Sequence, residues 1–372
     1  MGKEKVGIIT YHFARNYGAV LQCYALRKYL EKVGYDATVL NAISRVQEKN
    51  NSVFHKKDGI KNVIVNVILL PFVKQRLRKE NGFADFVENY IPHTEKVVNV
   101  EQLKALVDRE QYRAIITGSD QVWNPHIFDF DEMFFFPFET KATKIGYSVS
   151  IGESSLEDIR GYSKYAKDFP YVGLREKGAK EKVEAICGHG VVDTVDPVLL
   201  LTREDWETFV DKSSPLAKEK YLLCYLIDKK PIKRNMAIAE QIAKARGLKY
   251  IWMHLEKESF RGNFVNDASP VGFLNYMYHA SAVMTDGYHG TVFSTIFNKP
   301  MYSVINNRQS TDSRIRDYLT LIGLESRIFY GDAPVIPKEE IDYTEVDPKI
   351  RSVADASKAF LQSAIDNERV VR

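Results

Sequence analysis

Short apolar runs alternate with amphipathic stretches along almost the whole chain. VGIIT at 6–10 is a β-rich run, and a polar loop, YHFARNYG, follows it. Ala19, Cys23, Leu26, Leu30 and Val33 then recur at intervals of four and three, the stripe of an amphipathic helix, and Gly34 stands where such a helix is capped. ATVL at 37–40 is the next strand. A strand–helix–strand unit of this kind implies a parallel sheet with right-handed crossovers. RAIITG (113–118), KIGYSVS (144–150), YVGLR (171–175) and VVDTVDPVLL (191–200) continue the series. Beyond the polar stretch DKSSPLAKEK (211–220), the strands YLLCYLI, KYIWMH, AVMTD and MYSVI begin a second one. Helices are expected around 232–246, 272–280, 290–298 and 313–322, with a last one near 349–366. The pattern predicts an α/β protein of two Rossmann-like, doubly wound domains facing a cleft. The N-terminal domain takes 1–200 and the C-terminal domain 201–345, while 346–372 forms a helix that crosses back onto the first.

One apolar run falls outside this scheme. VIVNVILLPFV (63–73) is too short to span a bilayer, is interrupted by Asn66 and Pro71, and is followed by KQRLRK. It reads as a helix packed on the domain with a solvated basic end. A peripheral membrane contact through 63–79 is the second reading, because an apolar patch beside a basic run suits an anionic surface.

Composition changes the picture by exclusion. The chain has 372 residues, enough for two domains, with 45% hydrophobic and 27% charged residues. Its 52 basic and 49 acidic side chains leave +3, which argues against a dedicated nucleic-acid binder. Cys23, Cys187 and Cys224 are far apart and suggest neither a disulfide frame nor a zinc site. The start, MGKEKVGIIT, has no apolar stretch of signal-peptide length, so a cytoplasmic location is expected.

In open parallel sheets ligands bind beyond the carboxyl ends of the strands. Five polar clusters sit there: YHFARNYG, GSDQVWN (118–124), SVSIG (148–152), REKG (175–178) and DGYHG (286–290). DGYHG is the sharpest. A helix starting near Gly290 or Thr291 would aim free N–H groups at the crevice and favour an anion, with His289 adding a donor or a charge. The alternative is a histidine that closes the turn on backbone. Arg175 suits a carboxylate, or a surface ion pair. Asp196, before Pro197, could move protons or cap the next helix, and Asp193 competes with it. Asp120 could hold sugar hydroxyls or close an Asx-turn. His12, Arg15 and Asn16 line the same crevice or begin a helix. His279 lies ten residues before His289, a spacing that matches no metal motif. The chain carries no G-x-G-x-x-G, P-loop or G-x-S-x-G signature.

In combination, ITYHFARNYGAVLQCYAL, ITGSDQVWNP, LREKG, VDPVLLL and TDGYHGTVFSTIFNKP, in that order, resemble the polysaccharide pyruvyl transferase family over roughly 5–325. The resemblance implies a fold like that of GT-B glycosyltransferases, and transfer of a pyruvyl group from phosphoenolpyruvate to two hydroxyls of a sugar as a ketal. The acceptor is a sugar or oligosaccharide, with a lipid-linked one among the alternatives. No metal or organic cofactor is implied. Carried over by motif, His289, Arg175 and Asp196 are the catalytic set, with Asp196 as general acid or base. Tyr288, Gly290 and Thr291 are donor-binding, and His12, Arg15, Asn16, Asp120 and Trp123 acceptor-binding. The pattern departs at one position. The family carries arginine two residues before this histidine, where the chain has Gly287, and Arg308 or Arg314 would supply the second cation. Two rivals remain: a nucleotide-sugar glycosyltransferase on the same scaffold, and a non-catalytic glycan-binding relative.

Overall fold

The computed structural model describes residues 2–50, 70–227, 232–254, 263–305, 314–330 and 340–367. Two six-stranded parallel sheets organise them. The first contains β1 (Lys5–Ile9), β2 (Asp36–Val39), β3 (Ala114–Thr117), β4 (Thr143–Val149), β5 (Tyr171–Leu174) and β6 (Val192–Asp193), in the order β2-β1-β3-β4-β5-β6. The second contains β7 (Tyr221–Leu226), β8 (Lys249–His254), β9 (Phe264–Val265), β10 (Ala282–Thr285), β11 (Met301–Val304) and β12 (Ile328–Phe329), in the order β12-β11-β10-β7-β8-β9. The central strands β3, β7, β10 and β11 are buried at every position, as parallel strands covered on both faces must be.

Among the described helices of eight residues or more, the first half carries α1 (Tyr17–Lys32), α2 (Val73–Tyr90), α3 (Val100–Glu110) and α4 (Lys180–Cys187). The second half carries α5 (Ile232–Arg246), α6 (Pro270–His279), α7 (Tyr288–Ile296), α8 (Arg314–Ile322) and α9 (Tyr343–Ile365). Strand order reverses between β1 and β3 in the first sheet and between β7 and β10 in the second. At such switch points adjacent crossovers leave on opposite faces and a crevice opens at the carboxyl ends of the strands. The β1–α1 and β10–α7 connections lie at those two places.

The halves share a core. Tyr17 of α1 stacks on Phe83 of α2 at 5.2 Å and on Phe273 of α6 at 4.7 Å, and its hydroxyl donates to Ala268 O at 2.9 Å. Trp206 bridges Tyr24 of α1 (5.8 Å) and Phe293 of α7 (5.0 Å). Helix α9 returns to the first sheet. Ser357 Oγ accepts from Val195 N at 3.0 Å, Arg113 Nε donates to Ile365 O at 2.9 Å, and Phe360 lies against Gly173, where a Cβ would come within 3.0 Å of its ring.

Several bounds differ from the sequence expectation, each for a local reason. The strand expected over 191–200 ends at Asp193; Pro197 begins a 3₁₀ turn, and Asp196 caps it by accepting from Val198 N at 3.1 Å. Asp342 caps α9 and starts it at Tyr343. β9 and β12 have two residues each, too few for a periodicity to register. Of the 63–79 segment, 63–69 lie outside the described residues. The basic stretch after it opens α2, where Arg78 pairs with Asp267 and the buried face is carried by Phe83 and Phe86. No helix among the described residues is long and apolar enough to cross a membrane.

Docking of α9 on the first sheet has a direct check. Phe360→Ala should lower stability by about 3 kcal/mol, the usual cost of emptying a buried aromatic site. Lys358→Ala, which removes only the exposed pair with Asp355, should stay within about 0.5 kcal/mol. Urea unfolding followed by circular dichroism measures both.

Candidate active site

The loops at the carboxyl ends of β3, β5, β6 and β10 bring one charged cluster together. Helix α7 starts two to three residues earlier than expected, at Tyr288, with Gly287 as its cap residue and no side-chain cap. His289 therefore stands in the first helical turn, and its Nε2 meets Asp196 Oδ2 at 3.1 Å. The same carboxylate oxygen accepts from Arg175 Nη1 at 3.1 Å, and Arg175 Nη2 donates to Asp120 Oδ1 at 3.1 Å. The Tyr288 ring lies 5.1 Å from the guanidinium carbon. Residues 120, 175, 196 and 289 thus form one hydrogen-bonded chain running from the end of β3, past β5 and β6, to the start of α7.

Burial sets its electrostatics. Asp196 is fully buried, and burial opposes its charge. The charges of His289 and Arg175, with the hydrogen bonds that they and Val198 N donate, outweigh that, so its pKa lies below the ordinary carboxylate value. Burial also opposes ionisation of Asp120, and Arg175, His289 and Arg314 again prevail and lower its pKa. Glu176 goes the other way: burial raises its pKa, and Arg175 and Arg314 offset only part of this. Glu176 Oε1 accepts from Ser150 Oγ (2.8 Å) and Ile151 N (3.0 Å), which ties the β4 loop to the β5 loop. Arg175 stays a cation because the carboxylates of Asp120, Asp196 and Glu176 outweigh the cost of its burial.

Glycines set the closeness of this seam. A Cβ on Gly18, in the first turn of α1, would fall 2.0 Å from His289 Nδ1; one on Gly290 would fall 2.3 Å from Thr285 Oγ1. The imidazole therefore rests on the backbone of α1. At Gly287, where the family pattern has arginine, a Cβ would fall 2.5 Å from Ile227 Cδ1. The tip of the exposed Ile227 side chain lies where an arginine stem would leave.

The remaining expected residues distribute as follows. Asp120 keeps a partly exposed side chain (19%) in the cluster. Asn16 is the cap of α1 and accepts from Ala19 N at 3.3 Å. Arg15, beside it, pairs with Glu80. His12 is turned into its own domain, with Nδ1 at 3.1 Å from Thr10 O and Nε2 at 3.0 Å from Asn41 Oδ1; burial lowers its pKa. Arg314 opens α8, near enough for its charge to act on Asp120 and Glu176, whereas Arg308 lies outside the described residues. Asp193 is exposed, so of the two competing carboxylates it is Asp196 that joins the cluster. Two assignments need correction. Trp123 is wholly buried and stacked on Phe135 at 4.9 Å, a core residue of the first domain instead of an acceptor platform. Thr291 is also wholly buried, its hydroxyl donating to Gly287 O (3.2 Å) and paired with Ser303 Oγ (2.9 Å), so it holds the helix instead of a ligand. Glu176 and Gly18 were missed as site residues. For Gly18 there was a signal: glycine in a helical first turn costs propensity and marks a close approach.

The cluster makes two measurable statements. Because the folded pKa of Asp196 is depressed, its contribution is complete above the unfolded carboxyl value, about pH 4, and is lost as pH falls through the lower folded value. Asp196→Asn should therefore flatten the acid limb of a urea-midpoint profile between pH 3 and 7, and at neutral pH it should cost about 3–5 kcal/mol, as loss of one buried partner does. Gly18→Ala should destabilise by about 1–3 kcal/mol through overpacking against His289, although alanine is the better helix former, and thermal unfolding will read the sign.

The comparisons with known proteins agree with the two-sheet fold. Three structural neighbours are UDP-N-acetylglucosamine 2-epimerases. The one from Rickettsia bellii has a TM-score of 0.53 and 10% identity, covering 99% of this chain and 98% of its own. That from Methanocaldococcus jannaschii has a TM-score of 0.51 and 9% identity, covering 94% and 93%. A further one has a TM-score of 0.56 and 8% identity, covering 98% and 95%. At such identities the likeness establishes the fold alone: two Rossmann-like domains of the GT-B type. No curated protein matches the chain significantly. The family model for polysaccharide pyruvyl transferase matches residues 16–308, a span that runs from the cap of α1 through Asp120, Arg175 and Asp196 to His289 and beyond, and the chain accordingly belongs to the polysaccharide pyruvyl transferase family.

Proposed function

We propose that the protein moves the three-carbon unit of phosphoenolpyruvate onto two hydroxyls of a sugar, in a cell-surface polysaccharide or its precursor, giving a pyruvate ketal and inorganic phosphate. The observation that carries this reading is His289 in the first turn of α7, at a switch point, oriented by a buried carboxylate. Free N–H groups and the dipole at a helix N-terminus favour phosphate. The balance of the reaction needs little else. A proton is added to the methylene carbon, C2 becomes electrophilic, and a first hydroxyl attacks it and gives up its proton. Phosphate leaves with the C–O bonding pair, and the second hydroxyl closes the ring while its proton goes to phosphate. The reading needs no metal or organic cofactor.

Within it, His289 both meets the donor and handles protons. With Nε2 directed to Asp196 and Nδ1 lying against Gly18, the ring is held in one orientation at the start of α7. Asp196 is ionised, fully buried and engaged at both oxygens, so it acts through His289 as a positioning carboxylate and not as the acid itself. Arg175 holds Asp196 and Asp120 in register, and both of its terminal nitrogens are committed to them. Asp120, the most exposed of the three residues, faces the acceptor. Three buried thiols without disulfides suit the reducing cytoplasm, where we place the reaction.

The test is phosphate release from phosphoenolpyruvate across a panel of hexose and hexosamine glycosides. Release dependent on one acceptor is expected, with His289→Ala at least a hundredfold slower, the usual contribution of a positioned acid–base group. Thermal shift adds the donor: stabilisation by phosphoenolpyruvate and not by nucleoside diphosphates is expected. The reverse pattern would make the protein a nucleotide-sugar transferase, and binding of glycans without release under any acceptor would make it a non-catalytic relative.

A further inference from the structure

Arg175 gives its two terminal nitrogens to Asp120 and Asp196, while its Nε has no partner among the described residues. The group that faces Nε belongs to the next residue in the chain. Glu176 Oε2 lies 4.0 Å away, too far for a hydrogen bond, and it too is buried without a partner among the described residues. The other oxygen of this carboxyl is fully used. Oε1 accepts from Ser150 Oγ at 2.8 Å and from Ile151 N at 3.0 Å. The two oxygens therefore sit in different surroundings. Oε1 has the two donors that a carbonyl oxygen can take. Oε2 has none, and an ionised oxygen buried without a donor is costlier than a neutral hydroxyl in the same place.

The charges nearby point the same way. Arg175 beside it and Arg314 from α8 are the cations that act on Glu176, and Arg175 already answers two ionised aspartates. Burial prevails and holds the pKa of Glu176 above the ordinary value. The bonds to Oε1 also lead onward. Ser150 N donates to Asp120 O at 3.1 Å, and Arg175 N donates to Val149 O at 3.1 Å. The loop after β4 is thus clamped between Glu176 on one side and Asp120 on the other.

We propose that Glu176 is a positioning residue that works as the neutral acid, with its proton on Oε2: it fixes the β4 loop, and through that loop Asp120, without adding a third negative charge around Arg175. The purpose assigned to it rests on the reaction proposed above, in which Asp120 faces the acceptor and the donor is an anion. Asp120 and Asp196 are the strongest of the carboxylates that keep Arg175 charged, and they suffice without a third. An ionised Glu176 would repel an anionic donor from the cluster, whereas the neutral acid ties the loop and leaves the local charge unchanged.

Infrared spectroscopy of the full-length protein reads the proton directly and needs no ligand. At neutral pH the difference between wild type and Glu176→Gln should contain the carbonyl stretch of a protonated carboxyl, and its absence overturns the proposal. Calorimetry with inorganic phosphate reads the charge. Glutamine copies the neutral acid, so Glu176→Gln should bind phosphate within about threefold of wild type; tightening by about tenfold would mean that a negative charge had been removed, and also overturns it. Kinetics read the positioning. Glu176→Ala cuts the tie and should raise the acceptor KM about tenfold, and Glu176→Gln should bring it back to within about threefold of wild type. An acceptor KM indifferent to Glu176→Ala, or not restored by glutamine, removes the positioning role. Ser150→Ala, which takes away one of the two donors to Oε1, should move the acceptor KM the same way by about threefold and decides the matter if Glu176→Ala does not fold. If the infrared band is present but no acceptor supports phosphate release, the proposed reaction fails and the neutral tie survives as a feature of the fold. If the band is absent while acceptor-dependent release is found, the reaction stands and the role of Glu176 falls.

Discussion

A guanidinium removed from water must be matched by carboxylates, and the way this chain matches Arg175 governs the rest of its site. The Arg175 side chain is 1% exposed, and its two terminal nitrogens are met by Asp120 and Asp196. Neutralisation by carboxylates from two other loops fixes the ends of β3, β5 and β6 relative to one another. It also leaves Asp196 ionised although it is wholly buried, which in turn gives His289 a carboxylate to turn towards. Losing one member leaves a buried charge uncompensated, a cost larger than the net worth of any single pair. The dependence therefore runs from a desolvation constraint to the orientation of an imidazole, and the imidazole arrives from the other domain.

Much of the fold was legible in the sequence because parallel strands covered on both faces are apolar throughout. AIIT, AVMT and MYSV are continuous runs, and the amphipathic stretches between them separate cleanly. What escaped was decided elsewhere. The two-residue strands β9 and β12 exist because longer neighbours offer them an edge, and the start of α9 depends on an Asp342 cap that no periodicity announces. The polar loops of the site were found by one topological rule, that ligands lie beyond strand carboxyl ends. Their pairing was not legible. Arg175 and Asp196 are 21 positions apart, and Asp196 and His289 are 93 apart, so only the closed fold says that one carboxylate oxygen serves both. Trp123 shows the converse error. An aromatic beside polar loop residues can be a sugar platform or a core ring, and residue type carries no information about which way it points.

The departure at Gly287 is also physical in origin. A Cβ there meets the side-chain tip of Ile227, and one on Gly290 meets Thr285 and Tyr225, so the first turn of α7 sits close on the ends of β7 and β10. Packing this tight brings the helix dipole and its unpaired N–H groups closer to the crevice than a longer side chain would permit. An arginine delivers charge on a flexible stem and loses rotamer freedom when it binds, whereas backbone donors are already fixed by the helix they begin. Exchanging one for the other lowers net charge at the site and raises its rigidity. Among the described residues, Arg314 of α8 also acts on Asp120 and Glu176, adding positive charge around these carboxylates. Under the donor reading proposed above, a site arranged in this way would recognise an anion by the geometry of its donors more than by charge alone. Its affinity should accordingly fall less steeply with salt than that of a site built on two arginines, because contacts made by oriented dipoles are screened less than those between full charges at the surface.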